Sequence, residues 1–241
     1  MLNFQKFAVV TASAAALLAA AGSAQAVTFA SVSGANTAFV NETSGPYAGG
    51  GMFIGNGKSF LSFLMAGLPT HLKSTLSFIN TGTTQGAAAS TSGGLTTYTE
   101  AGFTGLFQDI YAGPTATIDG VHLVENVTDL LSGTISSGVL TGYSMGATQL
   151  PGTFDITIQN YSSPYAMGVP NGGADLNLAL ANPRGHWAIN TTYGNLQTAQ
   201  FTASGGFIAV PEPAAWALML LGVGGIGATL RRRHGAVATT A

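Results

Sequence analysis

Thr153-Phe154-Asp155-Ile156-Thr157-Ile158-Gln159 alternates without a break: Phe154, Ile156 and Ile158 fall on one side of an extended chain, Asp155 and Thr157 on the other. A period of two sends successive side chains to opposite faces of a strand, so the segment reads as β-structure with one face buried and one wetted. Similar apolar and polar alternation, less regular, marks 27–33, 59–64, 72–79, 96–98, 103–111, 116–123, 133–141, 174–180 and 197–208. Between them lie connectors rich in Gly, Ser, Thr, Asn and Pro, such as Gly45-Pro46, 80–94 and Pro170-Asn171-Gly172-Gly173, which punctuate strands at short intervals. No sustained helical period separates the strands, which argues against an α/β layout and for an all-β body. The expected architecture is an antiparallel β-sandwich, jelly-roll-like. Short helical exceptions are expected at 124–131, and at 60–65 if that stretch is not a strand.

The two ends of the chain read differently. Lys6 precedes an apolar run from Phe7 to Ala21, and Ala24-Gln25-Ala26 supplies the small-x-small pattern of a signal-peptidase site, with the mature chain starting at Val27. At the other end, Ala214 to Leu230 is seventeen residues without a charge. That is the short limit for crossing a bilayer core as a single helix, about 17 to 25 residues. Trp216 suits one membrane interface, and Arg231, Arg232 and Arg233 suit the cytoplasmic side under the positive-inside bias. Pro211 and Pro213 keep the segment before the span extended. The chain therefore divides into a signal peptide (1–26), a secreted β-rich domain (27–209) and a C-terminal segment (210–241) holding a Pro-Glu-Pro motif, the span 214–230 and a basic tail.

Pro211, Glu212, Pro213, Trp216 and Ala217, followed by the apolar run and the arginine cluster, closely resemble the PEP-CTERM sorting signal in its PEPxxWA variant. The resemblance is confined to the tail and does not extend to the body. It implies a Gram-negative exported protein, processed near the Pro-Glu-Pro motif by an exosortase-type membrane enzyme. Its destination would be the cell surface or the extracellular matrix, in company with exopolysaccharide and biofilm. Signal peptidase, the exosortase and transiently the inner membrane are the partners that follow.

Composition bounds the body further. The mean hydropathy of +0.35 is inflated by the two apolar end segments. Between Val27 and Val210 only Lys58, Lys73 and Arg184 stand against eight acids, a formal charge of −5. So few cations cannot neutralise a run of phosphates, which excludes nucleic acid as a partner. The chain has no cysteine, so it has neither disulfides nor thiol chemistry.

Several motifs resemble chemical sites. Gly142-Tyr143-Ser144-Met145-Gly146 spells a nucleophile elbow, with Asp175 and His186 following in hydrolase order. An elbow needs a strand, a sharp turn and a helix, whereas Pro151-Gly152 and another strand-like run come next. Gly55-Asn56-Gly57-Lys58-Ser59 lacks the first glycine of a phosphate loop, since Met52 stands there. Gly222, Gly224 and Gly227 lie within the apolar tail, too near the end for a dinucleotide fold. His71, His122 and His186 show no zinc spacing. Asp109, Asp119, Glu125 and Asp129 form the densest acidic stretch but no calcium loop. No cofactor and no metal is expected. Asn41, Asn126, Asn160 and Asn190 begin sequons to which no function is assigned. Among Tyr111, Tyr143, Tyr161, Tyr165, Trp187 and Tyr193, the candidate sugar contacts are Trp187 and Tyr193, because an aromatic face packs on the apolar side of a sugar ring.

These readings converge on a noncatalytic exported protein, structural or adhesive, in an exopolysaccharide-associated surface layer. Two alternatives stand beside it. One is a secreted glycan-acting hydrolase using two acids such as Asp109 and Glu125. The other is a periplasmic domain that keeps its tail as a membrane tether.

Overall fold

The computed structural model describes residues 27–42, 45–165 and 173–209. They form twelve strands: β1 (Val27–Asn41), β2 (Gly51–Phe63), β3 (Leu72–Thr83), β4 (Ala88–Ser92), β5 (Leu95–Ala101), β6 (Thr104–Tyr111), β7 (Ala116–Ile118), β8 (Val121–Leu123), β9 (Asp129–Met145), β10 (Thr148–Ser162), β11 (Ala174–Arg184) and β12 (Ala199–Ala209). Eight of them, β1, β2, β3, β6, β9, β10, β11 and β12, pair antiparallel in that order, and β12 pairs back onto β1. The ring closes, so the body is an up-and-down β-barrel rather than the expected two-sheet sandwich. The alternation that suggested a sandwich is common to both architectures. What separates them is pairing: every principal strand bonds to its neighbour in the chain, and the β9–β10 and β1–β12 pairs leave no gap at which one sheet could become two.

β9 is long enough to hold two partners on one edge. Its first half pairs with β6 and its second half with β5, which continues to β4 as a hairpin beyond the barrel. The expected strand at 116–123 is two short strands, β7 and β8, joined by Asp119-Gly120, both with positive φ (48° and 81°). An Asp-Gly pair in that conformation makes the tight primed turn of a two-residue hairpin. The helical expectations are not met: 124–128 is a turn leading into β9, and 60–63 belongs to β2. No helix among the described residues is long and apolar enough to cross a membrane. The hydrophobic helix expected at 214–230, the signal peptide 1–26 with Ala24 and Ala26, and the sorting residues Pro211, Glu212, Pro213, Trp216, Ala217 and Arg231 to Arg233 lie outside the described residues.

The barrel interior is filled. Ten of the eleven described phenylalanines are buried, and Phe60 is the exception. Phe53 packs on Phe154 with ring centroids 4.2 Å apart, Phe154 meets Phe103 edge-on at 5.1 Å, and Phe107 and Phe207 pack in a tilted pair nearer the other end at 5.4 Å. Such aromatic pairs contribute about 0.5–1.5 kcal/mol each beyond their buried area. Glycine on the inner face makes the room: a Cβ on Gly138 would stand 2.8 Å from Ile156 and 2.9 Å from Phe103. Outward positions such as Asn36, Lys58, Lys73, Thr157, Asp175, Asn177 and Gln200 are exposed and polar. The outer wall also exposes apolar side chains, Phe60, Ile79, Leu106 and Val139 among them, so it is mixed in character.

The two rims differ. One carries both ends of the wall, with Val27 opposite Ala209. The other is covered by residues 185–198, which set Trp187 and Leu196 into the core. The cover is pinned by Asn41, whose Nδ2 donates to the Leu196 carbonyl (2.6 Å), and by Asn195 Nδ2 donating to the Gly50 carbonyl.

Candidate ligand-binding groove and the sequence-derived sites

A groove of about 610 Å³ runs over the outer wall of β11, β12, β1 and β2. Register builds it. Gln200 is the partner of Arg184 on one side and of Ala38 on the other, and Ala38 is the partner of Ile54, so four strands contribute one transverse row. Beside that row, Thr202 pairs with Asn36, and Asn182 borders the groove. Asn182 sits at φ 50° in the β11 irregularity between Ala181 and Arg184, while β1 shifts register against β2 between Ser33 and Thr37. Bulges bend strands and increase their local twist, which makes the outer surface concave here. At the usual spacing of about 4.8 Å between strands, the row is roughly 14 Å long. The groove offers the three carboxamides of Asn36, Asn182 and Gln200, the Thr202 hydroxyl and the Arg184 guanidinium, set around the small apolar patch of Ile54 and Ala38. Such a surface can exchange several directional hydrogen bonds with a polar chain and attract negative charge at one end.

Two carboxyl groups are enclosed. Glu100 on β5 is fully buried; its Oε2 accepts the Leu196 N–H at 2.7 Å while Oε1 has no partner. Burial pushes this carboxyl up to about 7 against the opposing Leu196 bond. Asp109 on β6 is also fully buried, and neither oxygen has a well-formed hydrogen bond. Burial raises it to about 7; the Ser74 hydroxyl beside it opposes the shift and the charge of Asp129 adds to it. Asp129 is itself raised by burial, opposed by Ser132 and the Leu131 N–H. Ser74 shares a 3.0 Å hydrogen bond with Ser59, so a short polar track crosses the apolar interior.

The sequence-derived candidates are distributed as follows. Ser144 lies within β9, buried, its hydroxyl directed to Tyr98 Oη at 3.4 Å, and no strand-turn-helix surrounds it. Asp175 stands near the start of β11 and His186 two residues beyond its end, at opposite ends of that strand's roughly 35 Å length. Asp109 is enclosed while Glu125 is exposed on a turn, so the structure does not bring the proposed acid pair to one accessible face. The carboxyl beside Asp109 is Asp129. Among the described residues no group of three or more His, Asp or Glu could hold a metal ion.

Trp187, a candidate sugar contact, is 3% exposed: its ring stacks on Phe201 at 4.9 Å and its Nε1 donates to the Leu150 carbonyl at 2.9 Å. It is a core residue of the covered rim. Tyr193, the other candidate, is 38% exposed on the cover. Asn41 and Asn190, two of the sequon asparagines, are joined to each other at 3.2 Å and serve the cover. Sequence reasoning missed Arg184, Gln200 and Asn36 as a set, because only strand register brings them together.

Comparison with curated proteins and with solved structures gave no match. A family model does match, over residues 209–233, and it takes in every tail residue singled out above, from Pro211 to Arg233. It starts on the last residue of β12. Export and delivery toward the cell surface through an exosortase-type enzyme are what such a segment specifies. The chain thus carries, at its C-terminal end, a PEP-CTERM protein-sorting motif.

Proposed function

We propose that the exported barrel is a noncatalytic, structural or adhesive component of an exopolysaccharide-associated surface layer, and that it holds its partner on its outer wall. The observation that carries this reading is the pairing of a sorting segment with a barrel whose interior is occupied by phenylalanine. A filled core directs binding outward, and the groove across β11, β12, β1 and β2 is a concavity on the outer wall furnished with hydrogen-bonding groups. The acid-leaning surface and the dispersal of Ser144, Asp175 and His186 support a binding role over hydrolysis. The test is retention of the exported protein on the producing cell's own polysaccharide, with deletion of the gene scored for biofilm cohesion. Retention and a weakened biofilm are expected. Absence of both, or release of reducing sugar ends from that polysaccharide by the purified protein, would overturn the reading.

A further inference from the structure

The charges of the barrel are sorted by side. Lys58, Lys73 and Arg184 are its only lysines and arginines, and they lie on β2, β3 and β11. The strands β12, β1, β2 and β3 contain no Asp or Glu at all. Across the neighbouring β10–β11 pair the outer face is acidic, with Asp155 bonded to Asn177 and Asp175 accepting from Thr157 at 3.0 Å. On β11 itself, Asp175 and Arg184 are separated by roughly 30 Å of strand. Arg184 is exposed and has no acidic partner among the described residues. Residues 27–210, with a formal charge of −5, thus keep one unneutralised guanidinium at the end of an amide-lined groove, at the border between the acid-bearing β10–β11 pair and the acid-free strands β12, β1 and β2.

We propose that this groove binds a carboxylate-bearing polysaccharide, a strand containing uronic acid units, laid across β11, β12, β1 and β2. The inference rests on the adhesive reading above and names its ligand. The planar fork of Arg184 takes the carboxylate, for which its geometry is matched. Gln200, Asn36, Asn182 and Thr202 exchange hydrogen bonds with ring hydroxyls, and Ile54 with Ala38 lies under the apolar face of a sugar. Other anionic polymers fit less well. A nucleic acid places a charge at every phosphate and is held by several cations together, whereas the groove has one. An acidic peptide would gain most by adding a strand, but these four strands are already paired on both edges.

The experiment immobilises polygalacturonate and, separately, the same polymer after its carboxyl groups have been reduced to alcohols. The exported protein is passed over each, as wild type and as the variants Arg184→Gln, Gln200→Ala and Lys73→Gln. The expected result is retention on the acidic polymer that weakens with added salt, and that falls about tenfold or more on the reduced polymer and for Arg184→Gln. Gln200→Ala should lose a smaller factor, and Lys73→Gln, outside the groove, should match wild type within about twofold. Equal retention on both polymers, unchanged binding by Arg184→Gln, or no retention of wild type on either polymer would overturn the proposal. The same proteins are run on the producing cell's own polysaccharide. If wild type and Arg184→Gln are retained there alike, the groove assignment falls and the adhesive reading stands. If wild type is not retained there, the adhesive reading falls with it.

Discussion

The carboxyl of Glu100 on β5 accepts the backbone N–H of Leu196 at 2.7 Å, fastening the cover of one rim to the β4–β5 hairpin. With its other oxygen buried and unpartnered, Glu100 keeps its proton up to about pH 7, against an ordinary value of 4.5. The folded chain therefore binds more protons than the unfolded chain between about pH 4.5 and 7, and stability falls as pH rises through that window. Thermal melts should give a lower Tm at pH 8 than at pH 5, and amide exchange in residues 185–198 should accelerate first. Glu100→Gln should flatten the dependence. A Tm that rises from pH 5 to 8 in the wild type would contradict the assignment.

Asp109 sharpens the same expectation from inside the barrel. Its ordinary value of 3.8 and its folded value of about 7 bracket a window in which up to about 4 kcal/mol of stability is lost, at 1.36 kcal/mol per unit. Asp109→Asn removes the enclosed charge at nearly constant volume. Urea melts should show the variant more stable than wild type at pH 8, by about 1–3 kcal/mol, and indistinguishable from it at pH 5. An equal gain at both values would point to packing instead of charge.

Trp187 is the indole of the described barrel, sealed between Phe201 and the close backbone of Gly152, where a Cβ would come within 2.7 Å of its ring. Its fluorescence should be blue-shifted and resistant to iodide quenching, and sugar polymers should leave it unchanged; a Trp216→Phe background confines the signal to Trp187. Trp187→Ala should destabilise by about 3–5 kcal/mol. Strong quenching in the native state would mean that the cover stands open.

Ser144 faces Tyr98 from within a strand. Fluorophosphonate reagents, which label activated serines, should leave the native protein unmodified, and Ser144→Ala should alter neither polysaccharide retention nor any hydrolytic background. Stoichiometric labelling at Ser144 would reverse the noncatalytic reading.

Much of the wall was legible because burial imposes a period of two. The 153–159 segment places Phe154, Ile156 and Ile158 in the core, as its alternation implied, and Asp155 and Thr157 on the wetted face. β4 was hidden because its five residues, Ala88 to Ser92, are all exposed and contain no large apolar group to alternate. Pro151-Gly152 read as a break, yet both lie in β10 beside a register shift between Leu150 and Thr153. Closure was not legible at all, since the same inward faces serve a sandwich or a ring. The groove was out of reach for a related reason: Arg184, Gln200, Ala38 and Ile54 are far apart in the chain and adjacent only through pairing. One part of it could have been found. The stretches forming β12, β1, β2 and β3 are visibly without acids.

The pairing of Val27 with Ala209 begins a seam that joins the first strand to the last. A chain exported from its N-terminus presents β1 early, but β1 cannot complete its hydrogen bonding until everything up to β12 has crossed. Contacts of such wide separation close late and slowly. The sorting segment begins at the end of β12, so the ring can shut only when that segment is about to emerge. Maturation and sorting would share one clock, set by the order in which the polypeptide arrives.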